Sequence, residues 1–142
     1  MHNTSDVRVQ ETMPLATPDQ IKAELPISEL ASDNVASARA EIEAVVHGRD
    51  ARLLVVVGPC SIHDTQAALE YAERLKAVRE RYADSLLLCM RGYFEKPRTT
   101  VGWKGLINDP HLDGSYDIGT GLRIARKLLL SLAEMGLPIA NE

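Results

Sequence analysis

The unbroken apolar run LLVVV at residues 53–57 constrains the fold of this chain more than any other stretch. It shows no alternation of apolar and polar residues, so it predicts a parallel strand that is covered on both faces. An amphipathic segment follows from about residue 65 to residue 82, with apolar positions on one side of a helix. Its predicted buried stripe consists of Ala68, Tyr71, Ala72, Leu75, Val78 and Tyr82.

A second apolar run at residues 86–91 predicts a second strand, and a helical pattern follows at about residues 119–134. That helix is expected to bury Leu122, Ala125, Leu129 and Leu132, and a third strand is predicted to begin near Pro138. The order strand, helix, strand, helix, strand predicts an α/β fold with right-handed crossovers and a parallel sheet. In such sheets the functional groups lie at the carboxyl ends of the strands.

Residues 1–50 precede this pattern and are interpreted as an N-terminal extension, and residues 51–142 as the α/β part. Residues 17–20, TPDQ, form a capping box with proline at the first helical position, and Pro26 is expected to end that helix. A second helix is predicted from near Ser32 or Asp33 to Gly48, with Val35, Ala38, Ile42, Val45 and Val46 on its buried face. The extension holds nine acidic and four basic residues, which suggests a role in contacts between subunits.

Composition excludes several classes of protein. Neither part of the chain is strongly basic and aromatic residues make up 4%, which argues against a nucleic-acid-binding protein. No apolar run approaches the ~20 residues of a membrane span. The two cysteines, Cys60 and Cys89, are too few for a disulfide framework, so a cytoplasmic protein is expected.

Residues 90–105, MRGYFEKPRTTVGWKG, follow the second predicted strand and are rich in cations and hydroxyl groups. Arginine binds phosphate with a planar fork, lysine adds a point charge, and threonine adds donors. Pro97, Gly102 and Gly105 would shape the backbone so that these donors converge. The stretch predicts a site for a phosphorylated small molecule; a solvated basic loop is the alternative. The groups concerned are Arg91, Lys96, Arg98, Thr99, Thr100 and Lys104.

Residues 58–64, GPCSIHD, follow the first predicted strand. Cys60 could be a metal ligand, a nucleophile or a small buried apolar residue. His63 and Asp64 are more typical of a turn and a helix cap than of metal ligands. Cys89, inside an apolar strand, is interpreted as core, and Trp103 as a packing residue rather than a lid over a ligand.

Three segments together carry a resemblance to a known family. LLVVVGPCSIHD, MRGYFEKPRTTVGWKGLINDPH and GLRIARKLLL, in this order and spacing, closely resemble the microbial class I 3-deoxy-D-arabino-heptulosonate 7-phosphate (DAHP) synthases. The resemblance extends from about residue 17 to residue 142. One departure is Gly92, where that family more commonly has valine, and this glycine is expected to loosen the strand end without removing a donor.

The resemblance implies the N-terminal part of a (β/α)8 TIM barrel preceded by a helical extension. It also implies an enzyme that condenses phosphoenolpyruvate with erythrose 4-phosphate, the first step of the shikimate pathway. Arg91 and Lys96 would match catalytic residues that hold phosphoenolpyruvate, and Arg98 with Thr99 those that hold the sugar phosphate. Glu142 would match an active-site glutamate at the end of the third strand. Cys60 would match a ligand of a divalent metal ion, which could be Mn, Fe, Co or Zn.

The family's further metal ligands would lie beyond residue 142, and a barrel needs ~250 residues. We therefore expect the chain to be the N-terminal portion of a longer product. The alternative is a truncated, non-catalytic chain that associates with a full-length synthase or modulates it. The resemblance further implies a homo-oligomer and feedback inhibition by an aromatic amino acid.

Overall fold

The predicted alternation of strands and helices is present in the computed structural model, which describes residues 5–9, 11–96 and 101–141. Within these ranges three strands and four helices form a single α/β arrangement. Two helices come first, and the strands then alternate with the other two, which confirms the βαβαβ order. The elements are α1 (Pro18–Glu24), α2 (Glu29–Val46), β1 (Leu53–Val57), α3 (Thr65–Arg81), β2 (Leu86–Arg91), α4 (Ile118–Glu134) and β3 (Ile139–Ala140).

The strands form a parallel sheet in the order β1-β2-β3, with β2 in the centre. The β1–β2 register runs from Leu53 opposite Leu86 to Val57 opposite Met90, and Arg91 lies opposite Ala140 of β3. All three strands therefore end on the same side of the sheet, called here the carboxyl edge. The Gly92 amide donates to the Ala140 carbonyl at 2.8 Å, so the hydrogen bonding between β2 and β3 continues past Arg91. The loosening expected of Gly92 stays a prediction.

The hydrophobic core lies between the sheet and helices α3 and α4. Its largest fully buried side chains are Leu87 and Met90 of β2 and Leu132 of α4. Strand β1 is different, since Leu53 and Val56 are 65% and 51% exposed. The prediction that both faces of β1 are covered is therefore wrong for the described residues. The physical reason is that α3 packs on β2 and α4 on β3, which leaves β1 largely uncovered, and no described strand lies beside β1 on its other side.

In α3 and α4, some of the residues predicted to be buried are buried, and others are more exposed. Ala68, Ala72 and Leu75 of α3 are buried as predicted, whereas Val78 and Tyr82 are 43% and 47% exposed. Tyr82 lies outside the helix as its C-cap, and in the last turn Arg79 donates to the Gly136 carbonyl at 3.1 Å. In α4, Ala125, Leu128 and Leu132 are buried, while Leu122 and Leu129 are half-buried.

Helix α2 begins at Glu29, earlier than the predicted start near Ser32 or Asp33. Ser28 caps it, because the Ser28 hydroxyl accepts a hydrogen bond from the Ala31 amide at 3.2 Å. Gly48 lies just past the end of the helix with φ of 69°, as the sequence predicts. Val46 is 67% exposed and does not belong to the buried face.

Both N-terminal helices pack against α4. The Arg123 guanidinium donates to both carboxylate oxygens of Glu24 at 2.6 and 2.8 Å. The Asn34 side chain donates to the Ala133 carbonyl at 2.9 Å. These bonds attach residues 18–46 to the α/β part, while their separate role as an extension stays a prediction. Among the described helices, none is long and apolar enough to cross a membrane.

Candidate functional site

The carboxyl edge brings together the two stretches that the sequence predicts to be functional. Gly58 lies so close to the end of β2 that a Cβ placed on it would stand 2.7 Å from the Arg91 carbonyl oxygen. Further along, the Ile62 amide donates to the Tyr93 carbonyl at 2.8 Å. Residues 58–64 and residues 91–96 are therefore in direct contact, as the topology of a parallel sheet predicts.

Arg91 ends the central strand and carries the clearest functional signature of the edge. Its Cζ lies 4.0 Å from the centre of the Tyr93 ring, a cation–π geometry. Its Nε is buried and has no hydrogen-bond partner among the described residues. A buried donor on a permanently charged group is costly to leave unpaired, so it is well suited to receive an anionic ligand.

Lys96 lies five residues beyond Arg91 and is half-buried. Its amide donates to the Lys104 carbonyl at 3.1 Å, and the neighbouring residues Glu95 and Gly105 form an antiparallel bridge. The backbones of Lys96 and Lys104 therefore lie side by side. Gly102 and Gly105 both have positive φ, in agreement with the backbone role predicted for them. The other residues predicted for the site, Pro97, Arg98, Thr99, Thr100 and Glu142, lie outside the described residues.

Cys60 is exposed at the carboxyl edge, so one of the three alternatives for this residue, a small buried apolar residue, is wrong. Cys89 is buried in β2 as predicted, and burial raises the pKa of its thiol. Within residues 5–9, 11–96 and 101–141, no three His, Cys, Asp or Glu side chains lie close enough to hold a metal ion. This part of the chain thus offers Cys60 as one soft donor, but it does not form a closed metal site by itself.

Asp109 is a buried carboxylate that the sequence interpretation missed. It is 6% exposed, and its two oxygens accept from the Gly114 amide at 3.2 Å each. The Asp109 carbonyl accepts from the Trp103 indole at 2.8 Å, which confirms that Trp103 is a packing residue. Asp109 therefore organises the connection between β2 and α4. The signal that could have found it is an aspartate in a turn-rich segment, because such side chains bond to nearby amides.

Replacing Asp109 with alanine is expected to lower the free energy of unfolding by about 1–3 kcal/mol, because the Gly114 amide loses its partner. Asp113→Ala is the matched control: Asp113 is in the same connection but exposed, and its bond to the Ser115 amide is open to water. Its effect should stay within about 0.5 kcal/mol. Urea denaturation measures both. Equal losses in the two variants would contradict an organising role for Asp109.

The fold and the carboxyl edge together define a class of protein. It is an α/β protein whose parallel strands end in an exposed thiol, a lysine and an arginine whose Nε has no partner among the residues described. The family model described as the DAHP synthetase I family matches residues 23–142. The match covers most of the chain, and the chain belongs to this family. The resemblance drawn from the three sequence segments is thereby confirmed.

Three curated relatives illustrate the similarity. The Tyr-sensitive phospho-2-dehydro-3-deoxyheptonate aldolase of Escherichia coli K12 is 58% identical over 97% of this chain and 39% of its own length. The Trp-sensitive enzyme of Enterobacter agglomerans is 56% identical over 100% of this chain and 41% of its own length. The Phe-sensitive enzyme of Escherichia coli K12 is 55% identical over 99% of this chain and 40% of its own length. The chain thus spans about 40% of the length of these relatives.

A solved structure supports the fold. The phospho-2-dehydro-3-deoxyheptonate aldolase of Francisella tularensis SCHU S4 superposes with a TM-score of 0.90 at 48% sequence identity. The superposition covers 94% of this chain and 39% of that chain. The arrangement of strands and helices described above is therefore part of the fold of that protein.

Proposed function

We propose that the complete polypeptide carrying this sequence is a DAHP synthase. It condenses phosphoenolpyruvate with erythrose 4-phosphate and releases phosphate, as the first step of the shikimate pathway. The observation that carries the proposal is the half-buried Arg91 at the end of β2, whose Nε has no partner among the described residues. Membership of the family and the names of the relatives supply the reaction.

The proposed roles divide the cations between the two substrates. Arg91 and Lys96 bind phosphoenolpyruvate, Arg98 and Thr99 bind the phosphate of the sugar, and Glu142 lies in the same active site. Arginine suits this task because its planar fork binds carboxylate and phosphate with two parallel hydrogen bonds. The contact between residues 58–64 and 91–96 supports one shared site, since Gly58 lies against the backbone of Arg91.

The reaction forms one carbon–carbon bond. C3 of phosphoenolpyruvate attacks the aldehyde carbon of erythrose 4-phosphate, water adds at C2, and phosphate leaves. The residues of this chain hold the two anionic substrates in line, which supplies much of the rate enhancement because a bimolecular step becomes effectively unimolecular. A divalent metal ion with Cys60 as one ligand would polarise the aldehyde; Mn, Fe, Co and Zn are the candidates.

We also propose that the described strands belong to an eight-stranded (β/α)8 barrel. The exposed apolar residues Leu53, Val56 and Val57 of β1 support this, because in a barrel a further strand would pair with that edge. The names of the relatives support feedback inhibition by tyrosine, phenylalanine or tryptophan. Residues 1–50 are the proposed contact between subunits of a homo-oligomer, and the free cysteines fit a cytoplasmic protein.

The test is an assay of phosphate release with the complete polypeptide. Phosphate should appear only when phosphoenolpyruvate, erythrose 4-phosphate and a divalent metal ion are all present. Arg91→Ala should abolish the release, whereas Arg74→Ala, on the exposed side of α3, should leave it unchanged. No release from the unmodified protein with any of the four metals would contradict the proposal and favour the alternative of a non-catalytic chain.

The sugar-phosphate role of Arg98 leads to a separate prediction. Arg98→Lys keeps the charge but loses the bidentate fork, so the KM for erythrose 4-phosphate should rise about tenfold, which corresponds to about 1.4 kcal/mol. The melting temperature should not change. Arg81→Lys, at the exposed end of α3, is the control. A lower melting temperature with normal KM values would show that Arg98 is a structural residue.

A further inference from the structure

In the part of the chain that the structure describes, the charged group of Arg91 lies against an aromatic ring and not against a carboxylate. The Arg91 guanidinium carbon lies 4.0 Å from the centre of the Tyr93 ring. In the described part of the chain, no carboxylate forms an ion pair with Arg91 and its Nε has no hydrogen-bond partner. The ring therefore restricts the guanidinium without using any of its donors.

Backbone hydrogen bonds to two neighbouring segments fix the position of Tyr93. Its carbonyl accepts from the Ile62 amide at 2.8 Å, which attaches it to the loop after β1. The preceding amide, that of Gly92, donates to the Ala140 carbonyl of β3 at 2.8 Å. Gly92 is buried, and a Cβ there would stand 2.8 Å from Cγ2 of Ile139. The backbone that carries the Tyr93 ring is thus fixed between β1 and β3.

We propose that Tyr93 is a positioning residue for Arg91, and this inference rests on the proposed function. An acidic partner would neutralise the guanidinium and occupy its donors, and an arginine with no partner would lose side-chain freedom on binding the ligand. The aromatic face avoids both costs, because it attracts the cation electrostatically and leaves every N–H available for the carboxylate or phosphate of phosphoenolpyruvate. Tyr93 raises the affinity for that substrate without touching it.

The test compares Tyr93→Leu with Tyr93→Phe in the complete polypeptide. Leucine removes the aromatic face, so the KM and the calorimetric Kd for phosphoenolpyruvate should rise about fivefold to thirtyfold, the range expected for a cation–π contact. The KM for erythrose 4-phosphate should stay within about twofold. Phenylalanine keeps the face and should restore the affinity for phosphoenolpyruvate to within about twofold of the unmodified protein.

A second measurement separates positioning from a general structural role. In an Arg91→Ala background, Tyr93→Leu should have no further effect on the Kd for phosphoenolpyruvate, since its only route of action has been removed. An equal effect in both backgrounds, or identical behaviour of the Phe and Leu variants, would overturn the inference. If Tyr93→Leu lowers the melting temperature, Tyr93→Phe and Tyr93→Trp are compared instead, and both should bind normally. A loss of phosphoenolpyruvate affinity in both of these would overturn the inference.

Failure of the role proposed for Tyr93 can be distinguished from failure of the proposed function. If the unmodified polypeptide does not condense the two substrates, the function is rejected. If it does, and Tyr93→Leu binds phosphoenolpyruvate normally, the inference alone is rejected.

Discussion

Replacing Cys60 with serine is expected to remove the bound divalent metal ion from the complete polypeptide and to lower the rate of condensation on the order of 100-fold or more. Cys60 is an exposed thiol at the carboxyl edge, two residues after Gly58, which lies against the backbone of Arg91. A serine hydroxyl keeps the shape but is a poor ligand, because it does not ionise near neutral pH. Metal content is measured by elemental analysis, and turnover by phosphate release.

Cys89→Ala is the matched control for this prediction. Cys89 is buried in β2, and burial raises the pKa of its thiol, so it is poorly suited to bind metal as a thiolate. The control should keep its full metal content even if its melting temperature falls. A Cys60→Ser protein that retains both metal and turnover would show that Cys60 is not a ligand.

The largest effect on stability is expected for Gly121→Ala, which should lower the free energy of unfolding by about 3 kcal/mol. Gly121 lies inside α4 and is buried against the preceding connection. A Cβ at this position would stand 2.1 Å from the Ile107 carbonyl oxygen. Because that atom belongs to the backbone, the helix and the connection would have to separate. Denaturation by urea measures the loss.

Gly119→Ala is the control on the same helix, two residues earlier. The nearest atoms to a Cβ at Gly119 are 3.7 Å away, which is an ordinary contact. Alanine is the better helix former, so this variant should be neutral or more stable by up to about 1 kcal/mol. Equal destabilisation by the two substitutions would contradict the close approach of α4 to Ile107.

The order of elements was predictable because it depends on local patterns. The apolar runs at residues 53–57 and 86–91 became β1 and β2 at the predicted positions. The capping box at residues 17–20 is present, with Thr17 and Gln20 bonded to each other's backbone amides. These signals involve neighbours in sequence, so they need no knowledge of tertiary packing.

Exposure was predicted less accurately because it depends on what each element lies against. Leu53 and Val56 are exposed because α3 and α4 pack on β2 and β3, and because β1 has a described strand on one side only. Val78 shares the helical spacing of the buried residues of α3 but lies in its last turn, where Arg79 makes the contact across to Gly136. Apolar periodicity identifies the buried face of a helix but not how far its packing partner extends.

In the candidate site, too, some features follow from the sequence pattern and others depend on tertiary packing. The proximity of residues 58–64 and 91–96 follows from the rule that parallel strands end on one side of the sheet. The roles of Tyr93 and Asp109 could not be read from the sequence, because they depend on side-chain geometry. The ring lies 4.0 Å from the Arg91 guanidinium carbon, and the Asp109 carboxylate lies within 3.2 Å of the Gly114 amide.

The most direct measurement of the proposed function follows the new carbon–carbon bond. The complete polypeptide is supplied with phosphoenolpyruvate labelled with ¹³C at C3, erythrose 4-phosphate labelled with ¹³C at the aldehyde carbon, and a divalent metal ion. The proposal predicts a product in which the two labels are joined, seen in the NMR spectrum as a one-bond ¹³C–¹³C coupling that appears together with free phosphate. Release of phosphate with the labels remaining in separate molecules would contradict it.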